Sequence, residues 1–196
     1  MNKNGKTLAA VLAVGVSAAM PLAAHAQAAT IGAYAGGGFG QSEALDYECD
    51  PLPECKKKGT AYRFFGGYQF HRNFAVEVAY TDLGQVSSNS PGFDEIIKAK
   101  ASDVTLVGSY PASQRFSFYG KVGGYYAHTS KHRQTTTTII VKQSNGNLTF
   151  GAGLQYFITQ NLALRGESQR YMKMAGGNIG DSDYNVYTVG LLWKFR

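Results

Sequence analysis

The chain is poor in cysteine and, beyond its first two dozen residues, has no long apolar run. Only Cys49 and Cys55 occur among 196 residues, which excludes a disulfide-dense scaffold. They stand on either side of Asp50-Pro-Leu-Pro-Glu54, with no histidine or third cysteine nearby to complete a metal site. His25, His71, His128 and His132 are scattered, so neither a metal nor a cofactor is expected. Nothing after Leu22 reaches the roughly 18 consecutive apolar residues that a membrane-crossing helix needs. If the chain enters a membrane, it does so as strands. Charge of one sign is also in short supply. The formal net charge of +6 is spread along the chain, which is not the basic face of a nucleic-acid-binding protein.

What is present begins with an address. Met1-Asn-Lys3-Asn-Gly-Lys6 is a basic opening, Leu8 to Leu22 an apolar stretch, and Ala24-His-Ala26 a small-x-small cleavage site. Together they read as a secretory signal over residues 1–26, with Ala26-Gln-Ala28 as an alternative site two residues on. The mature chain, 27–196, loses Lys3 and Lys6 and keeps 17 bases against 13 acids. In an oxidising compartment Cys49 and Cys55 are expected to close a disulfide across their short loop. The 24 Gly, 13 Tyr and 11 Phe favour β structure, and the slightly negative mean hydropathy suits a barrel with a polar interior.

The end of the chain shows the pattern most plainly. Tyr187, Val189, Leu191, Trp193 and Phe195 alternate with Thr188, Gly190, Leu192 and Lys194. The apolar face is aromatic at both ends and aliphatic between, as in a strand of about 9–11 residues that crosses a bilayer with its rings at the interfaces. Seven further segments alternate, giving strands near Thr30–Ser42, Thr60–Phe70, Phe74–Gly84, Ser102–Tyr110, Arg115–His128, Asn147–Ile158, Asn161–Met172 and Asp183–Phe195. Connectors after the second, fourth and sixth are tight; those after the first, third, fifth and seventh are long and polar. This predicts an all-β, eight-stranded antiparallel up-and-down transmembrane barrel with short periplasmic turns, long external loops and both termini periplasmic. On each strand the charged residues lie opposite the apolar stripe: Arg63 against Tyr62 and Phe64, Glu77 against Val76 and Val78, Lys121 against Val122, Arg165 and Glu167 against Leu164. A soluble sandwich or lipocalin would alternate too, but its apolar stripe would not carry aromatic residues at both ends.

Several segments resemble the transmembrane domain of the outer membrane protein A family: Phe65-Gly-Gly-Tyr-Gln69, Ala75-Val-Glu77-Val-Ala-Tyr80-Thr-Asp-Leu-Gly84, Phe118-Tyr-Gly-Lys121-Val-Gly-Gly124, Phe150-Gly-Ala-Gly-Leu-Gln155 and Leu162-Ala-Leu-Arg165-Gly-Glu167. The resemblance runs from about Ile31 to Phe195. It implies a barrel filled by a salt-bridged cluster, which by position would comprise Glu77, Lys121, Arg165 and Glu167, with Gln155 where relatives carry a carboxylate and with Arg63 and Asp103 extending it. It also implies delivery by the barrel assembly machinery. With the chain stopping at Arg196, the peptidoglycan-binding domain of longer members is not expected.

For function, the cluster reads first as a plug and second as a narrow ion path. Catalysis has a single weak motif. His128-Thr-Ser130 has the His-x-Ser spacing of the lipid A deacylases, yet Lys142 stands about where that family places its acid. No enzyme is expected. Lys56, Lys57, Lys58, Lys131 and Arg133 lie in the first and third long loops, where lysine and arginine suit lipopolysaccharide phosphates. Thr135 to Val141 suggests that the third loop extends its strands as a hairpin above the membrane. The expected role is structural or surface-interacting, through loops that contact outer-membrane lipids, lipopolysaccharide and a host or other surface ligand. A narrow pore and a lipid A-modifying enzyme stay open as alternatives.

Overall fold

The computed structural model describes residues 31–45, 58–90, 93–134, 138–174 and 183–195. Every element among them is a strand: Gly32–Ala44 (β1), Lys58–His71 (β2), Phe74–Ser90 (β3), Phe93–Pro111 (β4), Phe116–Gln134 (β5), Thr138–Phe157 (β6), Leu162–Tyr171 (β7) and Tyr184–Lys194 (β8). Each pairs antiparallel with its neighbour in sequence, and β8 returns to β1 from Tyr34↔Lys194 to Ala44↔Tyr184, closing the barrel. Closure removes every free edge within the bilayer, where an unpaired backbone group has no water to turn to.

The two faces divide as the alternation requires. Val78, Val104, Leu106, Val122, Leu154, Leu164, Val189 and Leu191 point outward in the middle of the wall. Phe70, Phe74, Tyr110, Tyr156, Trp193 and Phe195 ring the end with the tight turns, and Phe39, Tyr62, Tyr80, Tyr126 and Tyr187 ring the other. Phe39 is 66% exposed and Phe64 63%. A belt of large apolar side chains so open is untenable in water and suited to hydrocarbon.

The strands depart from expectation on one side. β3 and β4 remain paired from Gln85↔Lys98 to Ser90↔Phe93, through residues that read as a polar connector. β5 and β6 continue to Gln134↔Thr138, the extended hairpin expected of the third loop. Hydrophobic alternation marks only the part of a strand that faces lipid; beyond the bilayer both faces meet water, and backbone pairing persists without it. Where β3 leaves the barrel its register shifts between Asp82 and Gln85. Gly84 adopts φ 75° there, its N–H donates to Asp82 Oδ1 at 2.9 Å, and Leu83 turns inward. A Cβ on Gly84 would lie 2.3 Å from Thr60 O, so this bulge demands glycine.

The interior is layered. Tyr34, Phe65, Val107, Tyr119 and Leu192 fill the turn end, and Leu83, Tyr125, Tyr171, Met174 and Tyr184 fill the loop end. Along β2, β3, β4, β5 and β7 the charged residues sit between these two apolar groups. Two inward glycines make the arrangement possible. A Cβ on Gly67 would fall 2.4 Å from the Tyr34 ring, and one on Gly153 would fall 2.4 Å from the Tyr119 hydroxyl. Gly153→Ala should therefore destabilise the barrel by about 1–3 kcal/mol through overpacking. Gly166→Ala on the lipid face, whose Cβ would meet Leu154 only at 3.7 Å, should stay within about 0.5 kcal/mol. Urea unfolding of the refolded protein in lipid vesicles checks both.

Candidate functional site

The buried charges among the described residues are three bases, Arg63, Lys121 and Arg165, and three acids, Glu77, Asp103 and Glu167. They form one connected cluster across the lumen. Arg165 is its hub: Nη1 donates to Glu77 Oε2 at 2.7 Å, Nη2 to Glu77 Oε1 at 3.2 Å and to Glu167 Oε2 at 2.7 Å, and Nε to the Tyr119 hydroxyl at 2.7 Å. Its guanidinium lies between the Phe65 and Tyr119 rings, 4.4 Å from each centroid. Arg63 binds Asp103 through both Nη atoms, at 3.0 and 3.1 Å, and reaches Thr81 Oγ1 and the Tyr171 hydroxyl. It also contacts Glu77 at 3.5 Å, and its Nε stands 3.3 Å from Glu167 Oε1 without hydrogen-bond geometry. Lys121 donates to Glu167 and lies 3.7 Å from Glu77.

Tyrosines complete the set. Tyr34 donates to Glu77 at 3.1 Å, Tyr119 to Glu167 at 2.7 Å and Tyr171 to Asp103 at 2.9 Å. Each carboxylate thus has one tyrosine and at least one arginine, which satisfies acceptors that burial would otherwise leave at a penalty of several kcal/mol per ion. Beside the cluster, between Arg63, Arg165, Glu167, Thr188, Gly38 and Gly190, a void of about 10 Å³ remains. That is room for about one water molecule.

At the loop end of β7 a second polar group ties the strand ends together. Asp183 accepts the Lys173 backbone N–H at 2.9 Å and Arg170 Nη2 at 2.7 Å. Tyr125 donates to Met172 O at 2.5 Å and Asn145 Nδ2 to Lys173 O at 2.9 Å, with Lys173 itself at φ 51°. The Lys173 N–H, aided by Arg170, holds the Asp183 carboxyl below its ordinary value of 3.8.

A family profile for the OmpA-like transmembrane domain matches residues 26–196. The chain belongs to that family. Its fold is similar to Ail, the attachment invasion locus protein of Yersinia pestis, solved with the heparin analogue sucrose octasulfate: TM-score 0.58 at 19% identity, covering 85% of this chain and 100% of that one. Neisserial surface protein A matches with TM-score 0.58 at 15% identity, over 83% of this chain and 97% of that one. The N-terminal barrel of Pseudomonas aeruginosa OprF follows at 0.56 and 11%, over 84% and 98%. No curated sequence matches the chain. At these identities the likenesses establish the fold alone, a closed eight-stranded β-barrel, and membership of the family makes it an outer-membrane one.

Of the residues singled out from sequence, the OmpA-like barrel brings together Arg63, Glu77, Asp103, Lys121, Arg165 and Glu167. Gln155 is corrected. It is buried on the lumen wall opposite Arg165 in the β6–β7 register but makes no hydrogen bond within the cluster, because the Arg165 guanidinium is turned to Glu77, Glu167 and Tyr119 instead. Sequence reasoning missed Tyr34, Tyr119, Tyr171 and Thr81; the facing glycines 67 and 153 were the signal that large inward rings needed room. His128 and Ser130 are not partnered: His128 Nδ1 faces Ser144 Oγ at 3.0 Å on the outer face. Lys58 lies 4.0 Å from Glu43. Cys49, Cys55, Lys56 and Lys57 fall outside the described residues, as do the side chains of Lys131, Arg133 and Lys142.

Two predictions follow from this geometry. Glu77→Gln should cost about 3–5 kcal/mol, since it leaves three buried bases against two acids and Arg165 with one carboxylate of its two. The double variant with Arg165→Met should cost less than the sum of the singles, as read by urea unfolding in vesicles. Because the Asp183 carboxyl is lowered on folding, its tie is fully present above 3.8 and lost only as pH falls below that value. Asp183→Asn should weaken it at neutral pH, accelerating amide exchange at Lys173 severalfold at fixed pH.

Proposed function

We propose that this protein is a non-enzymatic outer-membrane barrel that acts through the sheet it raises above the outer leaflet, in envelope structure and surface interaction. The carrying observation is the unequal height of its wall. Pairing of β6 with β7 ends at Thr149↔Tyr171, whereas β6 stays paired with β5 to Thr138. At about 3.4 Å per residue the stretch from Thr138 to Leu148 extends about 35 Å beyond that point. β3 and β4 run alongside it, so four strands leave the barrel as one sheet.

The tight turns and both strand termini at Gly32 and Lys194 share the opposite end, which we assign to the periplasm. Just beyond Tyr80 and Tyr126, Lys98, Lys100 and His128 face outward at the level of the outer headgroups. They add to the loop bases as contacts for lipopolysaccharide phosphates.

A conducting pore is disfavoured by the neutralised cluster, its one-water void and the apolar layers on either side. Lipid A deacylation is disfavoured by the His128–Ser144 pairing. Replacing residues 86–97 and 131–143 by tight turns tests the reading: the shortened protein should still migrate faster on gels when unheated, while cells carrying it lose binding to host-cell surfaces and serum survival. Retention of both would remove the sheet from the account. Steady single-channel conductance, or lipid A of altered mass in expressing cells, would favour the pore or the enzyme instead.

A further inference from the structure

A notch interrupts the lipid-facing wall near the turns. Gly108 on β4 and Gly120 on β5 are direct cross-strand partners and both lie on the outward face. Around them stand the rings of Phe74, Tyr110 and Phe118, enclosing a groove of about 290 Å³. Its turn end is formed by Asn73 and Ser109, which satisfy each other: Asn73 Nδ2 donates to Ser109 O at 2.8 Å, and Ser109 N–H donates to Asn73 O at 2.7 Å. The groove is therefore apolar along its floor and walls, with Asn73 and Ser109 tied to each other at its end.

Neither glycine is required by the barrel. A Cβ on Gly108 would meet the Phe74 ring only at 3.7 Å, and one on Gly120 would meet Gly151 O only at 3.9 Å. Neither has a positive φ. Inward glycines differ: at Gly123 a Cβ would lie 2.0 Å from Val104 O. In a strand interior glycine packs nothing and weakens the pairing, so two unforced glycines facing each other leave space that an ordinary lipid-facing pair would fill. The space opens into the belt that the membrane covers, so what occupies it is drawn from the bilayer.

Charge identifies the class. The β2–β3 turn carries Arg72 beside Asn73, and the β4–β5 turn carries Arg115 beside Phe116; both arginines are exposed, and neither turn contains an acid. The third tight turn, Ile158-Thr-Gln-Asn161, has no charge. The two basic turns are those that flank the groove. We propose that this groove seats one phospholipid of the leaflet at the turn end, an acyl chain lying over Gly108 and Gly120 between the three rings and the phosphate directed toward Arg72 and Arg115. An anionic headgroup suits the two guanidiniums best.

Native mass spectrometry of the full chain released from phosphatidylglycerol vesicles in mild detergent tests the proposal. One retained phosphatidylglycerol per barrel is expected. Gly108→Leu with Gly120→Leu should fill the groove and cut retention at least tenfold, with gel mobility before and after heating unchanged. Phe118→Ala, which removes a wall without filling the floor, should also lower retention. Arg72→Gln with Arg115→Gln should reduce retention of phosphatidylglycerol severalfold. A graded series of adducts with no preferred single lipid, or equal retention in the filled variants, would overturn it. So would a dimer that disappears on filling, since the occupant would then be a second copy of the chain.

Discussion

Arg165 is the interaction on which the interior depends. An eight-stranded barrel is too narrow to hold bulk water and too wide to close on small apolar side chains alone, so its middle must be filled by large groups. The charged ones among them must neutralise each other. Arg165 joins Glu77 to Glu167 and places its flat guanidinium between Phe65 and Tyr119. The fork geometry matters: a lysine at this point would supply one point charge and could not bridge two carboxylates while stacking on two rings. Lys121 and Arg63 take the remaining oxygens, and three tyrosines remove the last unmet acceptors. Gly67 and Gly153 belong to the same arrangement, because without them Tyr34 and Tyr119 could not lie against the wall.

The transmembrane part of the fold was legible because hydrocarbon imposes a rule on every second residue. Tyr62, Phe64 and Tyr68 had to face one way and Arg63, Phe65 and Gln69 the other, and both the strands and the cluster emerge from that parity. Parity says nothing about which partners an inward side chain takes. Gln155 shares the correct face and register with Arg165 yet stands outside the hydrogen-bonded set. Nor does it distinguish a tyrosine that fills space from one that donates to a carboxylate. Gln85 to Ser90 and their partners were invisible for a different reason: with water on both faces no alternation is selected, and their pairing is carried by the backbone alone. The third long loop was readable because Thr135 to Val141 is a β-forming run, whereas the second has no such stretch.

The barrel therefore separates two tasks along one set of strands. Within the bilayer β3 to β6 obey the lipid and the lumen; above it they are released from both. The bulge at Asp82–Gln85 marks the change on β3, with Gly84 allowing the strand to twist away as Leu83 caps the lumen from above. The same inward turn that closes the interior also reorients the projecting sheet.

The unequal wall has a consequence for neighbours in the membrane plane. One flank of the molecule, from β3 to β6, continues beyond the barrel as paired strands, which in the proposed orientation stand like a fence among the sugar chains of the outer leaflet. Among the described residues the strands β7, β8 and β1 have no such continuation. A membrane neighbour beside β3 to β6 meets strands that continue past the barrel rim, so the molecule has a front and a back in the membrane plane. In the orientation proposed above, that sheet is what a partner reaching in from outside the cell would meet.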